Sequence, residues 1–197
     1  MSKRGYHHGD LRNALIEAAT RQVRDGGVDG FSLREAARAV GVSPNAAYRH
    51  FSDKSALLAA VATAGFAELS RSMRRAQSRA DGPVAQLEAT GRAYARFAFR
   101  EPERFRLMFG AERPREVATE TSYGPTPYEL LGEALDALVE AGEVGATGRD
   151  GAELVAWSMV HGFADLVLAG ALTFPSTRAR DAALEDVLAR SVAALTG

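Results

Sequence analysis

A chain of 197 residues with 46% apolar content can bury a small N-terminal module of about 50 residues plus a larger body with its own core. It has no cysteine, which excludes a disulfide framework, thiolate zinc sites and a cysteine nucleophile, and fits a reducing cytosol. The net charge of −1 hides an asymmetry: residues 1–54 hold nine Lys/Arg against six Asp/Glu, whereas the remainder holds fifteen against nineteen, and a positive head on a negative body points to a polyanionic partner for the head.

The start, through His7 and His8, carries charge with no apolar run behind it, so no secretory signal is expected. Almost every later segment reads as helix, because Ala, Leu, Arg and Glu dominate and no period-2 run appears. Asp10 is the expected cap of a first helix whose Leu11, Leu15, Ala19 and Val23 form one face, and Gly26-Gly27 stops it. A capping box, Ser32 to Glu35, opens a short helix that runs to about Val40. Gly41-Val42-Ser43 is a tight turn, and Ser43-Pro44 starts a third helix reaching Phe51. A long helix then follows from Ser52-Asp53 to about Arg79. A fifth begins beyond Pro83 and ends at Glu101-Pro102, since the residue before proline disfavours helix. A short helix covers about 103–109, and 113–127 is the longest irregular stretch. Further helices are expected at about 127–141, 149–172 and 178–195. The most apolar stretch, 154–174, is interrupted by Ser158, His161 and Asp165, which argues against a membrane span; the expected location is the cytoplasm. The fold expected is all-α with about nine helices: a three-helix N-terminal domain, 1–54, and a larger helical domain, 55–197.

Residues 31–51 carry the chemistry. Two short helices joined at a glycine make a helix-turn-helix, in which Leu33, Ala36, Ala37 and Val40 face inward and Gly41 supplies the positive φ of the turn. On the second helix Ala47 and Phe51 face the core. Asn45, Ala46, Tyr48, Arg49 and His50 are left turned largely outward, a rim of donors and an aromatic suited to a DNA major groove.

Together with Ser52-Asp53-Lys54-Ser55-Ala56-Leu57-Leu58, this stretch resembles the DNA-binding domain of TetR-family transcriptional regulators. The opening Gly5-Tyr6-His7-His8-Gly9-Asp10-Leu11-Arg12 is similar to one TetR subgroup. Trp157-Ser158-Met159-Val160-His161-Gly162 resembles the Trp–His–Gly motif that names its C-terminal WHG domain. The chain departs from the family at Ala47, where a larger aliphatic is more usual, and at Asn45, where glycine or alanine is usual. Asn45 thereby becomes a candidate reader of adenine. The resemblance implies that Tyr48, His50 and Lys54 touch phosphates. The same motif offers Ser32, Arg34, Ser43, Pro44, Asn45, Ala46 and Arg49 as further DNA contacts, and Lys3-Arg4 form an arm suited to the minor groove.

In the body, Trp157, His161 and Asp165 fall on one helix face at i, i+4 and i+8, either as a pocket wall or as a packed His–Asp pair beside a core Trp. With Phe66, Tyr94, Phe97, Met108 and Tyr128 they are the candidate lining of an apolar effector site, although most such residues are ordinary core. No metal site is expected, because two ligands on one helix do not make one. Neither a cofactor motif nor an enzyme motif is present: no Gly-x-Ser-x-Gly elbow, Walker loop, His-Glu-x-x-His or dinucleotide fingerprint. Arg71, Arg74, Arg75 and Arg79 read as a solvated helix face.

The expected function is that of a sequence-specific transcriptional regulator, a repressor released from a palindromic operator in double-stranded DNA by a small, largely apolar effector. It would dimerise through its last two helices, with the effector tilting the long helix that carries Lys54. Two alternatives stand beside it: a DNA-binding regulator without an effector, and a helical ligand-binding or scaffold module whose head binds DNA non-specifically.

Overall fold

The computed structural model describes residues 8–110, 114 and 124–196, and every regular element among them is a helix. The helices are α1 His8–Gly26, α2 Leu33–Ala39, α3 Pro44–Tyr48, α4 Lys54–Gln77, α5 Pro83–Arg100, α6 Pro102–Phe109, α7 Pro127–Glu140, α8 Ala146–Arg149, α9 Ala152–Leu168 and α10 Thr177–Thr196. Two compact units result, Met1–Gly65 with Glu101–Glu120, and Phe66–Arg100 with Thr121–Gly197.

In the first unit α1 buries Leu15, Ala18, Ala19 and Val23, the stripe that its apolar spacing requires. Against it pack Leu33, Ala36 and Ala37 of α2, Ala47 and Phe51 around α3, and Leu57, Leu58 and Val61 of early α4. α6 also packs on α1, and an ionic cluster ties them: Arg24 donates to both carboxylate oxygens of Glu101, at 3.0 and 2.8 Å, and Arg104 lies 3.5 Å from the same carboxylate. The unit therefore extends beyond residue 54, because early α4 and α6 both close its core.

The second unit is organised around α5, which packs on α7, α9 and α10. Its interior holds Leu87, Phe97, Leu131, Leu135 and Leu138 with Val160, Phe163, Leu184 and Leu188. α4 is joined to α7 where Gln77 Nε2 donates to the Leu130 carbonyl at 2.8 Å and Arg74 pairs with Glu133.

Several boundaries differ from expectation, each for a local reason. α1 begins at His8, so Asp10 stands inside the helix rather than capping it. The capping box at Ser32 is half formed: Ser32 Oγ accepts from Glu35 N, but the Ser32 N–H goes to Gln22 Oε1 at 2.9 Å and the Glu35 carboxylate pairs with Arg38. A complete box forms instead at Thr126 and Glu129, opening α7. α3 stops at Tyr48 because the chain tightens there, with His50 N donating to Ala47 O three residues back. The helix expected over 149–172 is shorter and follows a separate single turn, α8. Gly151 takes a left-handed φ of 73° between them.

Candidate nucleic-acid interface

The helix-turn-helix is built by its caps. Ser32 and Ser43 each stand in extended backbone and accept a side-chain hydrogen bond from the third residue of the following helix, Glu35 N and Ala46 N. Pro44 occupies the first turn of α3, where its missing N–H costs nothing. Gly41 has φ 77°, the conformation that the turn between the helices needs. A five-residue helix is too short to stand alone, so its direction is set by burial. Ala47 is fully buried and Phe51 nearly so.

That burial fixes what points outward. Ser43, Pro44, Asn45, Tyr48 and Arg49 are exposed, Tyr48 to 45%, while Ala46 and His50 are half-buried. On α2, Arg34 is exposed; with Glu35, Arg38, Gly41, Val42 and Pro44 it lines an open depression of about 430 Å3. Lys54 is exposed at the start of α4, and its Nζ is held by the Val28 carbonyl at 2.9 Å and lies 5.8 Å over the Phe31 ring. An ammonium has three donors, so this anchor leaves capacity for a second acceptor. Asp53 caps the same helix end through Ala56 N at 2.8 Å. Lys3 and Arg4 lie outside the described residues.

Gln22 escaped the sequence reading. From α1 it fixes the N-terminal end of α2 by accepting from Ser32 N, a bond between residues ten apart that no local pattern announces.

In the second unit, Tyr94, Trp157 and His161 meet. Trp157 Nε1 donates to Tyr94 Oη at 3.2 Å, and the same hydroxyl lies 2.8 Å from His161 Nδ1. The three rings and Tyr128 stack edge to face or tilted, with centroids 5.6–6.1 Å apart. Burial pushes the Tyr94 phenol pKa up and the His161 pKa down, and the Asp165 carboxylate raises both. Tyr128 is 52% exposed and Asp165 is exposed, so this group reaches solvent. Phe97 is fully buried with Arg100 over its ring, and Phe66 is half-buried on α4. Met108 is fully buried in the first unit, against Gly65. Among the described residues no cluster of three metal-ligating side chains occurs, and no helix is long and apolar enough to cross a membrane.

Residues 15–61 match the bacterial regulatory proteins of the tetR family, and residues 87–191 match the tetracyclin repressor-like C-terminal domain. An HTH-type transcriptional regulator of Mycobacterium tuberculosis is 29% identical over 126 residues, 63% of this chain and 54% of that protein. The chain thus spans about half the length of the curated relatives it matches. Among solved structures, a Rhodococcus sp. protein of unknown function is 31% identical with a TM-score of 0.79, covering 98% of this chain and 97% of that one. A TetR family transcription regulator from Marinobacter aquaeolei, 21% identical over 93% of this chain and 94% of its own, shares the fold with a TM-score of 0.63. The matched regions take in both the helix-turn-helix and the Trp157–His161 stretch, and they belong to transcription regulators rather than enzymes: the chain is a member of the TetR family of DNA-binding transcriptional regulators.

Proposed function

We propose that the protein is a repressor that binds a palindromic operator as a homodimer and is released by a small, largely apolar effector. Residues 1–54 serve as the DNA-binding domain, and 55–197 as the effector-binding and dimerisation domain. The observation that carries the DNA half is the division of α3: Ala47 and Phe51 are buried, and Asn45, Tyr48 and Arg49 stand exposed beside exposed Arg34 and Lys54. In this reading Tyr48, His50 and Lys54 contact phosphates, with Ser32 and Ser43 beside them. Asn45, Ala46, Arg49, Arg34 and Pro44 lie at base edges or the neighbouring backbone, and Lys3-Arg4 enter the minor groove.

Dimerisation is read from α9 and α10. Leu154, Val155 and Leu166 of α9 are exposed, and α10 turns Ala182, Ala189, Ala193 and Ala194 outward around the exposed Asp186–Arg190 pair, two helix faces that a second copy would cover. Two heads on one two-fold axis place their recognition helices one DNA turn apart, about 34–36 Å. For the effector, support comes from the hydrogen-bonded Tyr94–Trp157–His161 group, with Tyr128 and Asp165 exposed to solvent beside it. A TetR variant from Acinetobacter baumannii, alike in fold, has been solved in complex with minocycline. An effector releases DNA only by binding the operator-incompetent state better than the competent one.

The test is fluorescence anisotropy of the protein with DNA from upstream of its own coding region against a scrambled duplex, at two salt concentrations. Sequence-dependent binding that survives the higher salt and falls roughly tenfold or more in Tyr48→Ala is the expected result. Equal, salt-fragile binding to both duplexes would favour the non-specific module instead.

A further inference from the structure

Of the three arginines of α1, Arg24 and Arg12 stand in different company. Arg24, in the last turn, donates through Nε and Nη2 to the two oxygens of the Glu101 carboxylate, so its charge is already matched within the protein. Arg12, near the start of the helix, is exposed and has no carboxylate partner among the described residues. Its guanidinium carbon stands 5.2 Å over the ring of Phe51. An aromatic face orients a guanidinium without neutralising it, and a stacked guanidinium keeps its N–H rim available for a bidentate acceptor.

The ring beneath is a fixed platform. Phe51 is 4% exposed, and its backbone N–H donates to Ala47 O at 3.0 Å, which ties it to the end of α3. Arg12 also borders the buried stripe of α1, one turn before Leu15, so its stem lies along the rim of the core while its head faces water. The cation is therefore placed beside the segment that carries Tyr48, Arg49 and His50, although it comes from a helix outside the helix-turn-helix.

We propose that Arg12 is a DNA-phosphate contact, held in place by Phe51 at the edge of the recognition helix. The acceptor is a phosphate rather than a base because a planar fork on a helix flanking the motif meets the backbone beside the groove, and two parallel N–H donors match two non-bridging oxygens. The contact extends the interface from α2, α3 and α4 onto α1.

Phosphate contacts are independent of sequence, so the test needs no knowledge of the operator. Binding of the full-length protein to a fluorescein-labelled duplex of arbitrary sequence is followed by anisotropy across a salt series, for wild type, Arg12→Met and Arg12→Lys. Each phosphate neutralised contributes about 0.9 to the slope of log affinity against log salt. Arg12→Met is expected to flatten that slope by about 0.9 for each head engaged, and Arg12→Lys to retain it with weaker binding, because a lysine keeps the charge and loses the fork. Urea unfolding midpoints, measured on the same samples, report any loss of the Phe51 contact as packing. An unchanged slope in Arg12→Met overturns the proposal and leaves Arg12 as a packing residue, whatever the midpoint does. Absence of salt-dependent binding in the wild type itself would instead bring down the DNA-binding reading on which the proposal rests.

Discussion

The two units both pair some arginines with carboxylates, but the arginines they leave open stand in different places. In the second unit Arg74 is matched with Glu133, Arg92 with Glu185, Arg100 with Glu68, Arg149 with Asp136 and Glu153, Arg180 with Asp181 and Arg190 with Asp186. Arg71, Arg75 and Arg79 along and just past α4, Arg96 on α5 and Arg178 on α10 are exposed and stand in no ion pair among the described residues. In the first unit Glu101 pairs with Arg24 and Arg104, Glu35 with Arg38 and Glu103 with Arg106, while Arg12, Arg21, Arg34 and Arg49 face water without an acidic partner among the described residues. Charge that is cancelled locally holds helices together weakly; charge left open is available to a polyanion and makes binding salt-dependent. The net charges of the two halves differ by seven, and in the first unit the open arginines Arg34 and Arg49 stand on or at the end of the helix-turn-helix, with Arg12 against Phe51 at its end.

The largest expected effect removes the one carboxylate that the first unit buries between two cations. The Glu101 side chain is 6% exposed and Arg104 4%. Glu101→Gln leaves a buried guanidinium without its counter-charge, and the cost is about 3–5 kcal/mol, read as a lowered midpoint in chemical denaturation. Glu35→Gln on α2 breaks an ion pair whose partners are both mostly exposed, and is expected to move the midpoint by less than about 1 kcal/mol. Equal effects from the two substitutions would erase the distinction between structural and surface pairing.

Close helix approach gives the second comparison. A Cβ on Gly65 of α4 would meet Met108 Sδ at 2.5 Å, whereas one on Gly91 of α5 would overlap Leu188 Cδ2 and crowd Val160 Cγ2 at 3.3 Å. Both glycines lie inside helices, where alanine gains roughly 0.5–1 kcal/mol. A methionine end can swing aside, but a leucine methyl backed by a valine cannot without shifting α10 or α9. Gly91→Ala is therefore expected to destabilise by about 1–3 kcal/mol against a change near zero for Gly65→Ala. Thermal unfolding of the two variants decides it.

A smaller effect separates helix formation from DNA contact in the head. Ser43→Ala removes the side-chain cap of α3 and should cost about 1 kcal/mol of stability. Tyr48→Phe, on an exposed ring, should leave stability within about 0.5 kcal/mol and weaken DNA binding through its lost hydroxyl. If Tyr48→Phe lowers the unfolding midpoint as much as Ser43→Ala does, the ring is a packing element.

What could be read in advance followed the range of the interactions. The caps Ser32 and Ser43, the turn glycine Gly41 and the inward faces of α1 to α3 depend on neighbours within four or five residues, and a pattern of that length carries them. Arg24 and Glu101 are separated by 77 residues, Lys54 and Val28 by 26, and Gln22 and Ser32 by 10; no periodicity encodes such partners. The Trp157–His161 spacing placed two members of the body's aromatic group on one helix face. Tyr94, which joins them through its hydroxyl, comes from α5, and only the packing of α5 on α9 brings it there. The single turn α8 left no signal either, because four residues with a glycine among them carry no period.

The smallest expected effect lies in that aromatic group, and it has a sign. Burial depresses the His161 pKa below its ordinary 6.5, and the carboxylate of Asp165, one turn on, only partly opposes this. The unfolded chain therefore binds a proton before the folded one does, so the contribution of His161 is intact above about 6.5 and is lost as pH falls below it toward the folded value. The lowered carboxylates Glu153 and Glu185 lose their own contributions only below their ordinary 4.5, so the interval between the two values isolates the histidine. Thermal unfolding of the wild type should weaken across that interval as the solution is acidified, and His161→Gln should flatten the dependence while keeping a side-chain polar group near Tyr94 Oη. A dependence that survives unchanged in His161→Gln would place the titration elsewhere in the chain and would mean that the Tyr94–His161 contact does not discriminate between the neutral and protonated ring.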